Sequence, residues 1–164
     1  MREEEQLIEL LRERNWTVTT VESCTGGAIS ARIVDIPGAS DVLREAFVTY
    51  CDEAKHSLAG VSLETLKEYT AVSSQTAEEM ALGGAERAGA DVALSSTGIA
   101  GPGGTERFPA GLVYIACAIH GAAVTRKFLF PGDRNEVRRQ AVREALKLGV
   151  AMIKVHEEEQ EEEF

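Results

Sequence analysis

The sequence predicts an α/β fold: a three-layer α/β/α sandwich with a mixed, mostly parallel five-stranded sheet ending in a β-hairpin. Three observations carry that expectation. Short β-type runs at 17–22, 47–50 and 92–97 alternate with helical patterns, which is the order of a parallel sheet covered on both faces. Two longer β-rich runs follow, Gly111–Ile119 and Ala123–Phe130, and His120-Gly121-Ala122 between them is a hairpin signal. The length of 164 residues with 44% hydrophobic content suits one domain with a sizeable core.

The elements follow in order. Leu7, Leu10 and Leu11 recur at helical spacing within Glu4–Arg14, and Asn15 closes that helix. Trp16 is expected to anchor the start of the first strand, Thr17–Glu22, and a second helix is expected from about Gly26 to Val34, ended by Pro37-Gly38. Phe47–Tyr50 reads as the second strand, with Asp52 capping a helix from Glu53. Leu63–Tyr69 is a short helix, and Ser73 and Ser74 start another that ends near Gly89. Val92–Thr97 is the third strand. After the hairpin, Pro131-Gly132-Asp133 leads into a last helix from about Arg134 to Lys154, with Val137, Ala141, Ala145, Leu148 and Met152 on its core face. A single domain is thus expected over 1–154. The acidic run within 155–164 is expected to be a disordered, solvated tail.

Composition excludes several classes. The net charge is −10, and six carboxylates in Glu157–Glu163 account for all but −4 of it, so no nucleic-acid backbone is expected as partner. No apolar run is long enough to span a bilayer, and the acidic N-terminus is unlike a signal peptide; a cytoplasmic protein with no membrane partner is expected. Cys24, Cys51 and Cys117 are odd in number and lack metal-type spacing, so neither a disulfide framework nor a metal site is expected.

The most informative stretch is Val18–Gly27. A β-branched run ends at Glu22-Ser23-Cys24-Thr25, and Gly26-Gly27 then opens a helix. Ser23 therefore belongs at the carboxyl end of a strand, where open α/β sheets gather their ligands, with backbone N–H groups nearby. The second strand is followed by Lys55 in the first turn of a helix, a position where the helix dipole disfavours a cation. A solvated surface lysine is the alternative there. The third strand runs into Gly98-Ile99-Ala100-Gly101-Pro102-Gly103-Gly104, which matches neither a Walker A loop nor the dinucleotide fingerprint. Its expected job is to offer backbone N–H groups to an anion or oxyanion; a flexible connection is the alternative. Right-handed crossovers place the second and third strands on opposite sides of the first, so all three signals meet at one edge. A serine beside a desolvated lysine suggests nucleophilic attack with the amine as base. None of the histidines sits in a comparable loop, so no Ser-His-Asp set is expected.

Four stretches, in this order, resemble motifs of one family. They are Glu22–Gly27, Val48-Thr49-Tyr50 with Glu53-Ala54-Lys55, Ala71-Val72-Ser73, and Thr97–Gly104. The family is the CinA C-terminal domain family, the PncC-type nicotinamide-nucleotide amidases, and the resemblance runs from about Leu7 to Lys154. It implies hydrolysis of the carboxamide of nicotinamide mononucleotide to nicotinate mononucleotide and ammonia, with no metal and no cofactor. It implies Ser23 as nucleophile, Lys55 as general base, and Tyr50 beside them. Cys24, Thr25, Gly26, Gly27, Thr97, Gly98, Gly101, Gly103 and Gly104 would contact the substrate, and Arg134, Arg138 or Arg139 would meet its phosphate. It also implies a homo-oligomer, in the form of a domain that full-length CinA proteins join to an N-terminal nucleotide-processing domain. Cys51-Asp52 and Leu112 depart from the residues usual at their positions, and the Thr105–Pro109 loop is short. The alternative, from a different class, is a non-catalytic nucleotide-binding regulatory or interaction module, which would bind the nucleotide without releasing ammonia.

Overall fold

The computed structural model describes residues 1–163. The elements are α1 Glu3–Arg14, β1 Val18–Glu22, α2 Ala28–Val34, β2 Phe47–Val48, α3 Asp52–Ala59, α4 Leu63–Tyr69, α5 Ser74–Ala88, β3 Val92–Gly98, β4 Leu112–Ile119, β5 Ala122–Leu129 and α6 Arg134–Glu162, with a single 3₁₀ turn at Ala39–Asp41. The five strands form one open sheet in the order β2-β1-β3-β4-β5. β1 is parallel to β2 and to β3, whereas β4 is antiparallel to β3 and β5. Four strands therefore run one way and β4 the other, and the expected three-layer α/β/α sandwich with a terminal hairpin is what forms.

Helices cover both faces. On one, Val92 and Leu94 of β3 and Val113, Ile115 and Cys117 of β4 join Leu7, Leu11, Ile29, Ala145 and Ile153 in the main core. On the other, the alternate residues Ala93, Ala116 and Ala118 are small and meet Ala77 and Ala81 of α5. Small residues on both sides let α5 sit close to the sheet: Ser95 Oγ reaches the Ala77 carbonyl at 2.6 Å. A Cβ on Gly84 would meet Val21 Cγ2 at 2.2 Å. β1 is buried along its whole length because parallel strands at the centre are covered twice. No helix of the described residues is long and apolar enough to cross a membrane.

Four local expectations need correction. Cys51, not Asp52, occupies the N-cap position of α3. The second strand is two residues long, because the chain must turn at Thr49 to enter α3. The second helix begins at Ala28, since Gly26 and Gly27 take φ of 59° and 98° and spend themselves on the turn before it. The acidic run is not a disordered tail: α6 continues through Glu162. Glutamate and glutamine are good helix formers, and a helix already 21 residues long at Lys154 needs no new nucleus to continue. Its extension is tied to the body by Arg14 on Glu157 at 2.6 Å and by His156 packed against Trp16.

Candidate active site

The carboxyl ends of β1, β2 and β3 lie side by side, with Glu22 opposite both Val48 and Ser96. The ladder runs one residue further on each side: the Ser23 amide donates to Ser96 O at 3.0 Å, and the Thr49 amide to Glu22 O at 2.8 Å. Those two bonds fix where Ser23 leaves the sheet and where the chain turns toward α3.

Lys55, in the second half of the first turn of α3, is 2% exposed. Its Nζ lies 3.1 Å from Ser23 Oγ and donates to Thr49 O at 2.9 Å. No carboxylate forms an ion pair with it among the described residues. Burial pushes the amine below the ordinary lysine range, only partly offset by Asp52, Cys51 and Cys24 nearby. A neutral amine with one N–H fixed on a carbonyl can turn its lone pair to the serine hydroxyl. The Thr49 hydroxyl, fully buried, has no hydrogen-bond partner among the described residues. The adjacent Cys24 thiol is also buried, and burial pushes it up to about 11.

A cavity of 340 Å³ opens beside the pair, bordered by Ser23, Cys24, Tyr50, Arg134 and the Gly98–Gly103 backbone. Arg134 spans its mouth, donating from Nη1 to Gly101 O at 2.7 Å and from Nη2 to Tyr50 Oη at 3.0 Å. The amides of Cys24, Thr25, Ala100 and Gly101 have no backbone acceptor among the described residues, and Cys24, Ala100 and Gly101 border the cavity, so uncommitted donors lie close to it. A larger groove of 460 Å³ between Trp16 and the end of α6 is lined by neither a serine nor a lysine.

The structure divides the residues expected to contact a substrate. Cys24, Gly98, Gly101, Gly103 and Arg134 border the cavity with Ser23 and Tyr50. Thr97 is buried and its hydroxyl is spent on Ala71 O at 2.6 Å, tying β3 to the start of α5. Thr25 donates to Glu22 Oε1 at 2.7 Å and so accepts from Ser96 Oγ at 2.7 Å. Gly26 and Gly27 shape the turn. Gly104 packs on the Phe108–Ala110 backbone, where a Cβ would meet Phe108 O at 2.3 Å. Arg138 donates to Cys24 O at 3.1 Å and Thr25 O at 3.0 Å. Arg139 lines a separate groove with Arg32, Val142 and the same Arg138.

Glu22 is the residue that pattern reading passed over. It is fully buried and accepts from Thr20 Oγ1, Thr25 Oγ1 and the amides of Ile29 and Ser30 at 2.7–3.1 Å. Gly27 at the N-cap position of α2 has no side chain, and Glu22 supplies the missing cap from the strand. The helix amides nearest Ser23 are therefore already taken. The signal in the sequence was a carboxylate at the end of an otherwise uncharged β run.

The model of the CinA C-terminal domain matches residues 2–153. A putative competence-damage inducible protein of Clostridium acetobutylicum is 50% identical over 140 residues, which is 85% of this chain and 34% of that protein. A CinA-like protein of Kosmotoga olearia is 46% identical over 144 residues, 87% of this chain and 35% of that one. The chain thus spans about a third of the length of these relatives. Among solved structures, a competence-damaged protein (CinA) superfamily protein from Enterobacter cloacae superposes with a TM-score of 0.89 at 38% identity, covering 92% of this chain and 90% of that one. The competence/damage inducible protein CihA from Agrobacterium tumefaciens gives 0.85 at 39% identity, covering 91% and 94%.

Proposed function

Because the chain belongs to the CinA C-terminal domain family, we propose that it is an amidase that hydrolyses the carboxamide of nicotinamide mononucleotide by a Ser-Lys mechanism. The observation that carries the reading is the buried amine of Lys55, 3.1 Å from Ser23 Oγ and without a carboxylate partner. Such an amine is costly to keep charged, and one held against a serine that borders a cavity is a candidate base.

The steps follow from the contacts. Ser23 Oγ attacks the carboxamide carbon as its proton passes to Lys55 Nζ. The carbonyl oxygen becomes an oxyanion held by free amides of the Ser23 turn and the glycine loop. The ammonium of Lys55 returns the proton to the leaving nitrogen, ammonia departs, and an acyl-Ser23 ester remains. Lys55, neutral again, takes a proton from water, whose oxygen attacks the ester. The C–Oγ bond breaks, Lys55 passes its proton to Ser23 Oγ, and nicotinate mononucleotide leaves with Ser23 and the neutral amine restored. Arg134, which borders the cavity, would meet the phosphate through a fork suited to two oxygens.

Ammonia release from nicotinamide mononucleotide, with calorimetry on the same samples, tests the reading. Release that stops in Ser23→Ala supports it. Binding without release would make the protein a nucleotide-binding module instead.

A further inference from the structure

The turn that carries Ser23 is gripped from two sides by opposite charges. From α6, Arg138 donates Nε to Cys24 O and Nη2 to Thr25 O. From β1, the buried Glu22 holds Thr25 Oγ1 and the amides of Ile29 and Ser30 that follow the turn. Among the described residues, two backbone bonds hold the turn between the grips: Gly26 N to Ser23 O and, at the entry to α2, Ala28 N to Thr25 O, each 3.0 Å.

We propose that Glu22 and Arg138 are positioning residues that hold the Ser23 turn and aim its donor amides, acting on the reaction through that turn and not through the substrate. The proposal rests on the reading of Ser23 as nucleophile. In a trans peptide the C=O and N–H point in opposite directions. Arg138, by fixing the Cys24 carbonyl on its own side, therefore fixes the Thr25 N–H on the other. By fixing the Thr25 carbonyl it sets the plane that sends Gly26 N–H back onto Ser23 O. One planar guanidinium thus orients two successive peptide groups, which a lysine ammonium cannot match. A charge-assisted bond to a carbonyl also polarises its peptide and strengthens the N–H at the other end as a donor. Glu22 supplies the counter-charge beneath the turn and keeps the first amides of α2 from competing for an oxyanion. Both arginines have two N–H groups committed, but Arg138 spends them on the Ser23 turn, whereas Arg134 spends them on Gly101 O and Tyr50 Oη at the border of the cavity.

The test compares wild type with Arg138→Ala, Arg138→Lys and Glu22→Gln in the full chain. Three quantities are read: kcat and KM for ammonia release, the rate at which a fluorophosphonate labels Ser23 by mass, and the melting midpoint. Labelling forms the Ser23 Oγ–P bond with loss of fluoride, so it reports the nucleophile and its donors without any amide substrate. Arg138→Ala should lower kcat and the labelling rate together by about 10²-fold, the cost of roughly 1 Å of misplacement, with KM little changed. Methylguanidine should restore part of both, and Arg138→Lys should fall between. Glu22→Gln should slow labelling with KM likewise little changed.

A raised KM with kcat intact in Arg138→Ala would overturn the proposal by making Arg138 a substrate contact. Unchanged labelling in Arg138→Ala or in Glu22→Gln, or a loss in Arg138→Ala that follows the melting midpoint and ignores methylguanidine, would overturn it too. A wild-type Ser23 that the reagent does not modify removes the nucleophile and this proposal together. A reactive Ser23 without ammonia release removes only the substrate, and the labelling rates still decide the positioning role.

Discussion

Removing the Ser23 hydroxyl tests the chemistry with the least disturbance to the fold. Oγ makes one side-chain hydrogen bond, with Lys55 Nζ at 3.1 Å, and Lys55 keeps its other bond to Thr49 O in Ser23→Ala. The loss is one net hydrogen bond, about 0.5–1.5 kcal/mol, or roughly 2–4 °C of melting midpoint for each kcal/mol in a chain of this size. The loss of rate is far larger, because deleting a serine nucleophile costs on the order of 10⁶ in kcat. Ammonia release should therefore fall to background in a protein that still melts cooperatively. Cys24→Ala is the necessary control, since a thiol stands one residue away. With that thiol pushed up to about 11, its thiolate fraction at pH 7 is about 10⁻⁴, too little to carry turnover. Cys24→Ala should keep kcat within about threefold of wild type. Retained turnover in Ser23→Ala together with its loss in Cys24→Ala would refute the assignment and move the nucleophile one residue along.

Lys55→Met should lower kcat by about 10²–10⁴, the usual worth of a general base, as measured by ammonia release. In wild type, kcat/KM should rise as the pH climbs through the lowered value of Lys55, reaching half its maximum below the ordinary lysine value of 10.5. Stability should follow the same direction. Between the folded and unfolded values the unfolded chain binds more protons, so stability grows as pH rises across that window and is lost as pH falls through it. Lys55→Met should flatten that slope in denaturant titrations at several pH values, and an unaltered slope would refute the buried-base reading. Arg134→Ala should raise KM for a phosphorylated substrate more than it lowers kcat, and an unchanged KM would exclude the phosphate role. Gly83→Ala places a Cβ 1.6 Å from Ala59 O, forcing α3 and α5 apart. The cost of about 1–3 kcal/mol exceeds the gain of about 1 kcal/mol in helix propensity, so the midpoint should fall. A midpoint that rises would show that the two helices can separate freely.

Periodicity was enough for the architecture because each layer leaves its own pattern. β3 is buried on both faces and reads as an unbroken run, whereas Ala123–Phe130 mixes charges into a strand that forms the exposed edge. Crossover handedness then put β2 and β3 on opposite sides of β1, as they are. Composition misled at the C-terminus. Six glutamates in seven residues look solvated, and they are, but solvation does not unwind a helix whose earlier turns are already pinned by Val137, Ala145 and Ile153. Boundaries failed where a tertiary partner replaced a local one: α2 starts at Ala28 because its cap arrives from Glu22, six residues upstream.

The same distinction separates what was legible in the site. Lys55 stood out because it breaks a local rule, a cation at the positive end of a helix dipole. A residue that violates a local preference is held there by something non-local, here Thr49 O and Ser23 Oγ. Glu22, Thr97 and Arg138 broke no such rule as sequence. A glutamate among threonines, a threonine at a strand end and an arginine on a helix are all ordinary until their partners are known. Arg134, Arg138 and Arg139 are indistinguishable by motif, yet Arg134 reaches the cavity, and Arg138, about one turn further along the same face, reaches the Ser23 turn and borders a second groove. Arg139, about 100° around α6 from Arg138, lines that second groove. Spacing along a helix gives that angle, but the meaning of the angle depends on which strand end lies opposite. Only the packing of α6 across the carboxyl ends of β1 and β3 supplies it, so the division of labour among the three arginines had to come from the fold.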